Sequence, residues 1–495
     1  MLSRLVLGLS ALGAAQAGVF SSRTGSYGNA RSAPIGASPG DLGEPLLLSK
    51  VLTEEGPQAA KEKSAVVLPD FKIESYSGFL HTEDDGDKEM FFWYFPAQSG
   101  DKDAPLLIWL QGGPGGDSSF GSFVEMGPID LDGDLRPHAR NATWNKKYAM
   151  LFIDNPVGAG FSYTGTGDGY CTDSRNCVAR NLVSLLLQFY KIFPESKTGG
   201  LYITGESYGG HYVPAFGAKV LEHNEKTDAD DSIPLKGVAI GDGWIDPVNM
   251  IPGYPELMRN LALATEAEVR VIQGYCDRTV NYINQGDYLA AFEEWDRMLN
   301  GDVFPYPNYF HNITGSNNYD NFMMTNDPAS FAWYADYLNQ AQIRKAIHVG
   351  NSTFGKNAPK CEKALLKDFH MSYRPELQRL LTKEGVRVLV YSGQLDVIIA
   401  SALTERFLPY LQWPQAEDFA AASKKVWRTT AGDKEVAGFV REIKDFQRVV
   451  VRGAGHIVPA DQPNRAFDMI TRFVEGKSYE NLPNPATPSP SSILV

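Results

Sequence analysis

Leu201-Tyr202-Ile203-Thr204-Gly205-Glu206-Ser207-Tyr208-Gly209-Gly210-His211 is the stretch on which the fold turns. An apolar, strand-like run from Leu201 to Thr204 enters a G-x-S-x-G turn, and a helix-like run follows from His211 to Leu221. A serine on a tight turn between a strand and a helix sits in strained backbone and is presented above the edge of a sheet. Gly205 and Gly209 have no side chains, so strand and helix can close around the turn. Five such residues also describe an ordinary serine in a turn, so the reading depends on the rest of the chain.

A serine hydroxyl is a weak nucleophile; it needs a base and a third group to orient that base. Among 8 histidines, His456 follows the apolar run Val449-Val450-Val451 and a Gly-rich turn. Asp396 follows Val386 to Tyr391 through Ser392-Gly393-Gln394-Leu395. Both fall just past the carboxyl end of a strand, where open α/β sheets hold ligands. Taken singly, each also reads as a satisfied histidine or a turn-capping aspartate. Together, the order Ser207, Asp396, His456 is that of α/β-hydrolases. A further strand, Pro105 to Leu110, ends in Gln111-Gly112-Gly113-Pro114-Gly115-Gly116. Such a loop turns backbone N–H groups toward a ligand, and it nominates Gly113 and Tyr208 as an oxyanion hole. Neither a Lys-Ser or Lys-Thr pair nor a dinucleotide fingerprint follows, which disfavours a phosphate loop.

These stretches, with Phe123-Val124-Glu125-Met126-Gly127-Pro128, Phe152 to Tyr163 and Gly455-His456-Ile457-Val458-Pro459, resemble the serine carboxypeptidase family, from about residue 46 to 476. Gln111, the Tyr391 to Asp396 segment and Ala346 to Asn351 look most like its vitellogenic-carboxypeptidase-like branch. The resemblance implies an α/β-hydrolase fold, with a mostly parallel central sheet, helices on both faces and an inserted helical lid. It also implies a serine-type carboxypeptidase acting on peptides with a free C-terminal carboxylate. That carboxylate would be held by Gln111, Glu125 and Glu206, with Trp109 in support. Two glutamates repel a carboxylate unless at least one keeps its proton. His456, by contrast, must be neutral to act as a base. Those opposed demands place the optimum at pH ~5. Gly116 and Ile399 stand where the family usually has cysteines, and Asp117 replaces a usual serine, adding a carboxylate near the site mouth.

The expected reaction forms an acyl-enzyme on Ser207, which water resolves, with no cofactor and no metal. An acyltransferase on the same scaffold has the same triad, and a stabilising scaffold protein is a second alternative. Net charge is −13, from 46 basic and 59 acidic residues, which disfavours nucleic acid and anionic membrane as partners.

Residues 1–17 read as a signal peptide: Arg4, an apolar run too short to span a bilayer, and Ala15-Gln16-Ala17. No later run suggests a membrane anchor. Sequons at Asn141, Asn312 and Asn351 fit a secretory route, ending lysosomal, vacuolar or secreted. The four cysteines allow three pairings. Short spacing favours Cys171–Cys177, leaving Cys276–Cys361. Gly- and Ser-rich 18–45 reads as a flexible leader. Strand-helix alternation over 46–251 and 385–477 reads as two halves of the hydrolase core. Helical periodicity over 252–384, between the halves of the triad, reads as a lid insertion. Its Tyr306 to Phe322 cluster reads as lid packing or a pocket wall, and Pro-rich 478–495 as a disordered tail.

Overall fold

The computed structural model describes residues 40–479 apart from 83–86, 230, 305–306 and 431. The expected signal peptide, the leader to residue 39 and the tail from residue 480 lie outside the described residues.

The strands are β1 (Tyr76–His81), β2 (Lys88–Phe95), β3 (Leu106–Leu110), β4 (Ile129–Leu131), β5 (Pro137–Ala139), β6 (Ala149–Ile153) and β7 (Tyr163–Thr164). They continue as β8 (Leu201–Glu206), β9 (Leu235–Gly241), β10 (Arg387–Gly393), β11 (Lys425–Trp427), β12 (Gly438–Ile443) and β13 (Phe446–Val451). β4 and β5 form a separate hairpin; the others form one sheet, ordered β1-β2-β6-β3-β8-β9-β10-β13-β12-β11, with β7 beside β2. From β6 to β13 every neighbouring pair is parallel, and antiparallel strands flank that block on both sides.

Side chains alternate between the faces of a strand, and both faces here are dry. In β3, Leu106, Ile108 and Leu110 join one core and Leu107 and Trp109 the other. The helices Ala179–Ile192 and Gly209–Asn224 cover the first face. Pro463–Glu475 covers the second, through Ala466, Met469, Ile470 and Phe473. This burial explains why the central strands are near-continuous apolar runs.

β9 and β10 are neighbours in the sheet, yet most of the helices absent from the core halves lie between them in sequence. Within that block the helix Glu266–Gln285 starts from a Thr265–Glu268 capping box and ends at Gly286, φ 76°. Its inward face runs Val269, Ile272, Cys276, Thr279, with Val280 and Ile283 packed against the core, at three- and four-residue spacing.

Three expectations need correction. Cys171 and Cys177 are bonded, but Cys276 and Cys361 do not form a second bridge. Cys276 Sγ lies 3.9 Å from Met298 Sδ, whereas Cys361 packs beside Gly115 and Gly158, so the two thiols are buried in one core against different neighbours. The leader is anchored at its end: Asp41 pairs with Lys345 at 2.6 Å, and Leu46 N donates to His348 O. Tyr479, inside the stretch expected as a disordered tail, is buried, edge-on to Trp427 with centroids 5.6 Å apart.

Candidate active site

Sheet order places the chemistry. β8, β9, β10 and β13 are consecutive neighbours, so Ser207, Asp242, Asp396 and His456 emerge in a row from their carboxyl ends. The Gln111 to Gly116 loop emerges from β3, on the other side of β8.

Ser207 has φ 60°, a left-handed conformation that costs a non-glycine residue roughly 1–3 kcal/mol. Its neighbours hold it there: Ser207 N donates to Gly241 O at 3.0 Å, and Trp244 N donates to Ser207 O at 2.9 Å. Close approach needs bare backbone. A Cβ on Gly205 would lie 2.5 Å from Leu110 O, one on Gly210 2.4 Å from Trp244 N, and one on Gly112 2.6 Å from Ser207 Cβ. Gly209, expected to be critical, is less constrained, with its nearest contact at 3.2 Å.

His456 Nδ1 donates to Asp396 Oδ2 at 2.9 Å, with both side chains buried. The contact fixes the tautomer and leaves Nε2 as the basic nitrogen. His456 N donates to Asp320 O at 2.7 Å, and Asp396 Oδ1 accepts from Ile399 N at 3.1 Å, so both loops are pinned. Burial opposes a charged imidazole, but the charge and hydrogen bond of Asp396, then Asp320 and Glu206, outweigh it and raise His456 to about 9. Ser207, His456, Gly113 and Tyr208 line one cavity. Among the described residues, neither the Gly113 N–H nor the Tyr208 N–H donates to another group.

Beside the serine lies a carboxyl pair. Trp109 Nε1 donates to Gln111 Oε1 at 2.8 Å, which orients the amide so that Nε2 donates to Glu206 Oε1 at 2.7 Å. Glu125 and Glu206 are both fully buried. Both oxygens of Glu125 and Oε2 of Glu206 lack a hydrogen-bond partner. Burial pushes Glu206 up to about 7, and burial followed by the charge of Glu206 holds Glu125 well above the usual carboxylate range. The two carboxyls interact with each other, and both keep protons at acid pH.

Asp117 lies away from this group. Its Oδ2 accepts from the Tyr334 hydroxyl at 3.1 Å, and burial raises it to about 6. It does not line the Ser207 cavity.

The same cavity is walled by Trp244, Trp295, Phe369, Ile398 and Ile399, with Asn300, Asp302 and Asp320 among its polar lining. Sequence reading missed most of these. Among its described residues, the Tyr306 to Phe322 cluster contributes Asp320 but no aromatic ring; Phe310 and Tyr319 are core residues. Asp242 was missed as well, although Gly241-Asp242-Gly243 directly after an apolar strand was the available signal. Asp242, Asp396 and His456 each bring a polar atom within 4.8 Å of the others.

A parallel α/β sheet with helices on both faces and a serine elbow at the end of a central strand defines an α/β-hydrolase. Residues 67–476 match the serine carboxypeptidase family, and the chain belongs to that family. It is 42% identical over 442 residues to the human protein named "Probable serine carboxypeptidase CPVL", covering 89% of this chain and 92% of that one. It is 40% identical over 441 residues to the venom serine carboxypeptidase of Apis mellifera, with the same coverage. With the vitellogenic carboxypeptidase of Aedes aegypti the identity is 36% over 447 residues, covering 89% of this chain and 92% of that protein. A solved prohormone-processing carboxypeptidase from Saccharomyces cerevisiae shares the fold, with TM-score 0.71 and 23% identity, covering 84% of this chain and 96% of that one. The chain is a serine-type carboxypeptidase, a hydrolase of peptides.

Proposed function

We propose that the protein releases single residues from peptides bearing a free C-terminal carboxylate, through an acyl-enzyme on Ser207. His456 Nε2 takes the serine proton as Oγ attacks the scissile carbonyl, and then gives it to the leaving amine. Asp396 holds His456 in the required tautomer and stabilises the imidazolium that forms. The unused N–H groups of Gly113 and Tyr208 receive the oxyanion. Water then attacks the acyl-enzyme and frees the shortened peptide.

One observation carries the assignment: the buried carboxyls of Glu125 and Glu206 have unpartnered oxygens beside Ser207. Protonated, they donate short, charge-assisted bonds to a substrate carboxylate, and the remaining Gln111 N–H adds another. The pH sense follows. Below about 7, where Glu206 takes its proton, it is a donor; above it the charged Glu206 repels the substrate carboxylate.

Segment 252–384 acts as a lid, since Trp295, Asn300, Asp302, Asp320 and Phe369 of the cavity come from it. The cavity lies off the Gln111–Glu125–Glu206 group and takes the side chain on the acyl side of the scissile bond. A secretory route, lysosomal, vacuolar or secreted, is supported by the Cys171–Cys177 bridge and by the exposure of Asn141, Asn312 and Asn351.

The test is release of the C-terminal amino acid from an N-blocked dipeptide by wild type and by Ser207→Ala. Release should fall by about four orders of magnitude or more in the variant. Release undiminished in the variant contradicts the assignment, and products bearing an added alcohol in place of water support the acyltransferase alternative.

A further inference from the structure

Asp242, directly after β9, is a titratable group at the strand ends to which the reaction gives no part. It is fully buried, with φ 42°, in a backbone conformation that a non-glycine residue adopts at a cost. Its backbone N donates to Tyr391 O at 2.8 Å, and its Oδ1 accepts from Gly393 N at 2.8 Å. These bonds aim the carboxyl at the loop that carries Asp396. Its Oδ2 is buried, and the carboxyl it meets is that of Asp396. Asp396 and His456 offer polar atoms within 4.8 Å.

We propose that Asp242 is a positioning residue: it keeps a proton in the acid range, offers it as a hydrogen bond to Asp396, and so holds Asp396 against His456 Nδ1, while loss of that proton disables the site. The proposal rests on the reading of Ser207, Asp396 and His456 as the catalytic triad.

Two buried carboxyl groups this close do not both carry charge at low cost. Burial, and next the charge of Asp396, push Asp242 well above the usual carboxylate range. Charged and titratable groups face it from each neighbouring strand. From β8 comes Glu206, whose charge adds to the repulsion. From β10 and its loop come Tyr391 and Asp396. From β13 and its loop come Arg448 and His456. Arg448 is the cation that would favour an ionised Asp242, but its hydrogen bonds go to Glu405, Ser392, Ser401 and Val449 O.

The location of one proton therefore decides the state of the base. On Asp242 Oδ2, the proton leaves His456 Nε2 open to accept from Ser207. On His456 instead, with Asp242 and Asp396 both ionised, the imidazolium cannot act as a base. When the proton is lost to solvent, two like charges push the carboxyl groups apart and loosen Asp396 from His456. The proton is held and released, never transferred to substrate, so no co-reactant is needed.

The test uses a fluorophosphonate, which phosphonylates Ser207 with loss of fluoride and has no carboxylate for Glu125 and Glu206 to read. Its rate constant is measured from about pH 4.5 to 9 for wild type, Asp242→Asn and Asp242→Leu, with Ser207→Ala as blank. Thermal melts confirm folding, and return to about pH 5 confirms reversibility. Wild type should rise out of acid and then fall reversibly above neutral. Asp242→Leu should be slower by about tenfold or more throughout, for want of the donor. Asp242→Asn, which donates but does not ionise, should recover most of the acid-side rate and lose the alkaline fall. A wild-type rate that holds its plateau to about pH 9 overturns the proposal. So does an Asn variant as slow as Leu at every pH. An absence of labelling in folded wild type defeats the triad itself and this inference with it, a result distinct from a flat plateau.

Discussion

Glu206 belongs to both the scaffold and the site. Its backbone closes β8 one residue before the serine, and its side chain meets Gln111. A glutamine in its place cannot ionise, so the rise of KM with pH expected of wild type through about 7 should flatten in Glu206→Gln, with kcat changed far less. KM measured at several pH values checks this, and an unchanged rise would move the effect to Glu125. At this scale much was legible. Ser207, Asp396 and His456 each follow an apolar run in that order; Asp242 also follows one, and the hydrogen bond to His456 Nδ1 singles out Asp396. The partners of Glu125 and Asp117 were not legible, because a neighbour contributed by another loop sets each: Glu206 for the first, Tyr334 for the second. Asp242 stayed hidden because an aspartate between glycines reads as a turn.

The elbow depends on backbone contact, and its glycines differ in what surrounds them. Gly210→Ala should cost about 1–3 kcal/mol, since its Cβ would meet Trp244 N at 2.4 Å, while Gly209→Ala should stay within about 1 kcal/mol. Denaturant midpoints of the two variants check the order, and equal losses would contradict it. Strands and their sequence were legible because double-sided burial writes them as apolar runs. The helix Glu266–Gln285 was legible as part of the helical block, since its inward residues recur at three- and four-residue spacing. The cavity wall was not legible at all: Trp244, Trp295 and Phe369 are separated by 51 and 74 positions and meet only when the lid packs on the sheet.

Across the molecule, burial leaves several acids protonated near neutrality: Asp117 at about 6, Glu206 at about 7 and Asp296 at about 8. Their folded pKa values lie above the unfolded ones, so the native state keeps protons that the unfolded chain releases. The stability they contribute is complete below the unfolded carboxyl range of about 4 and drains away as pH climbs through about 6 to 8. Tm should therefore be higher at about pH 5 than at about pH 8, and the opposite order would contradict this accounting. Whole-chain organisation was readable where composition changes, at the helical block between β9 and β10. It was misjudged where single contacts decide, as at Tyr479 on Trp427 and at the thiols of Cys276 and Cys361. The central claim is that a buried, protonated glutamate pair reads the C-terminal carboxylate. It is tested most directly by the ratio of kcat/KM for a peptide and its C-amidated twin, followed from about pH 4.5 to 8. The expected ratio favours the free acid by about a hundredfold or more in acid and falls as pH passes about 7, where Glu206 ionises. A ratio near one at every pH, or one that grows toward alkaline pH, would contradict the account.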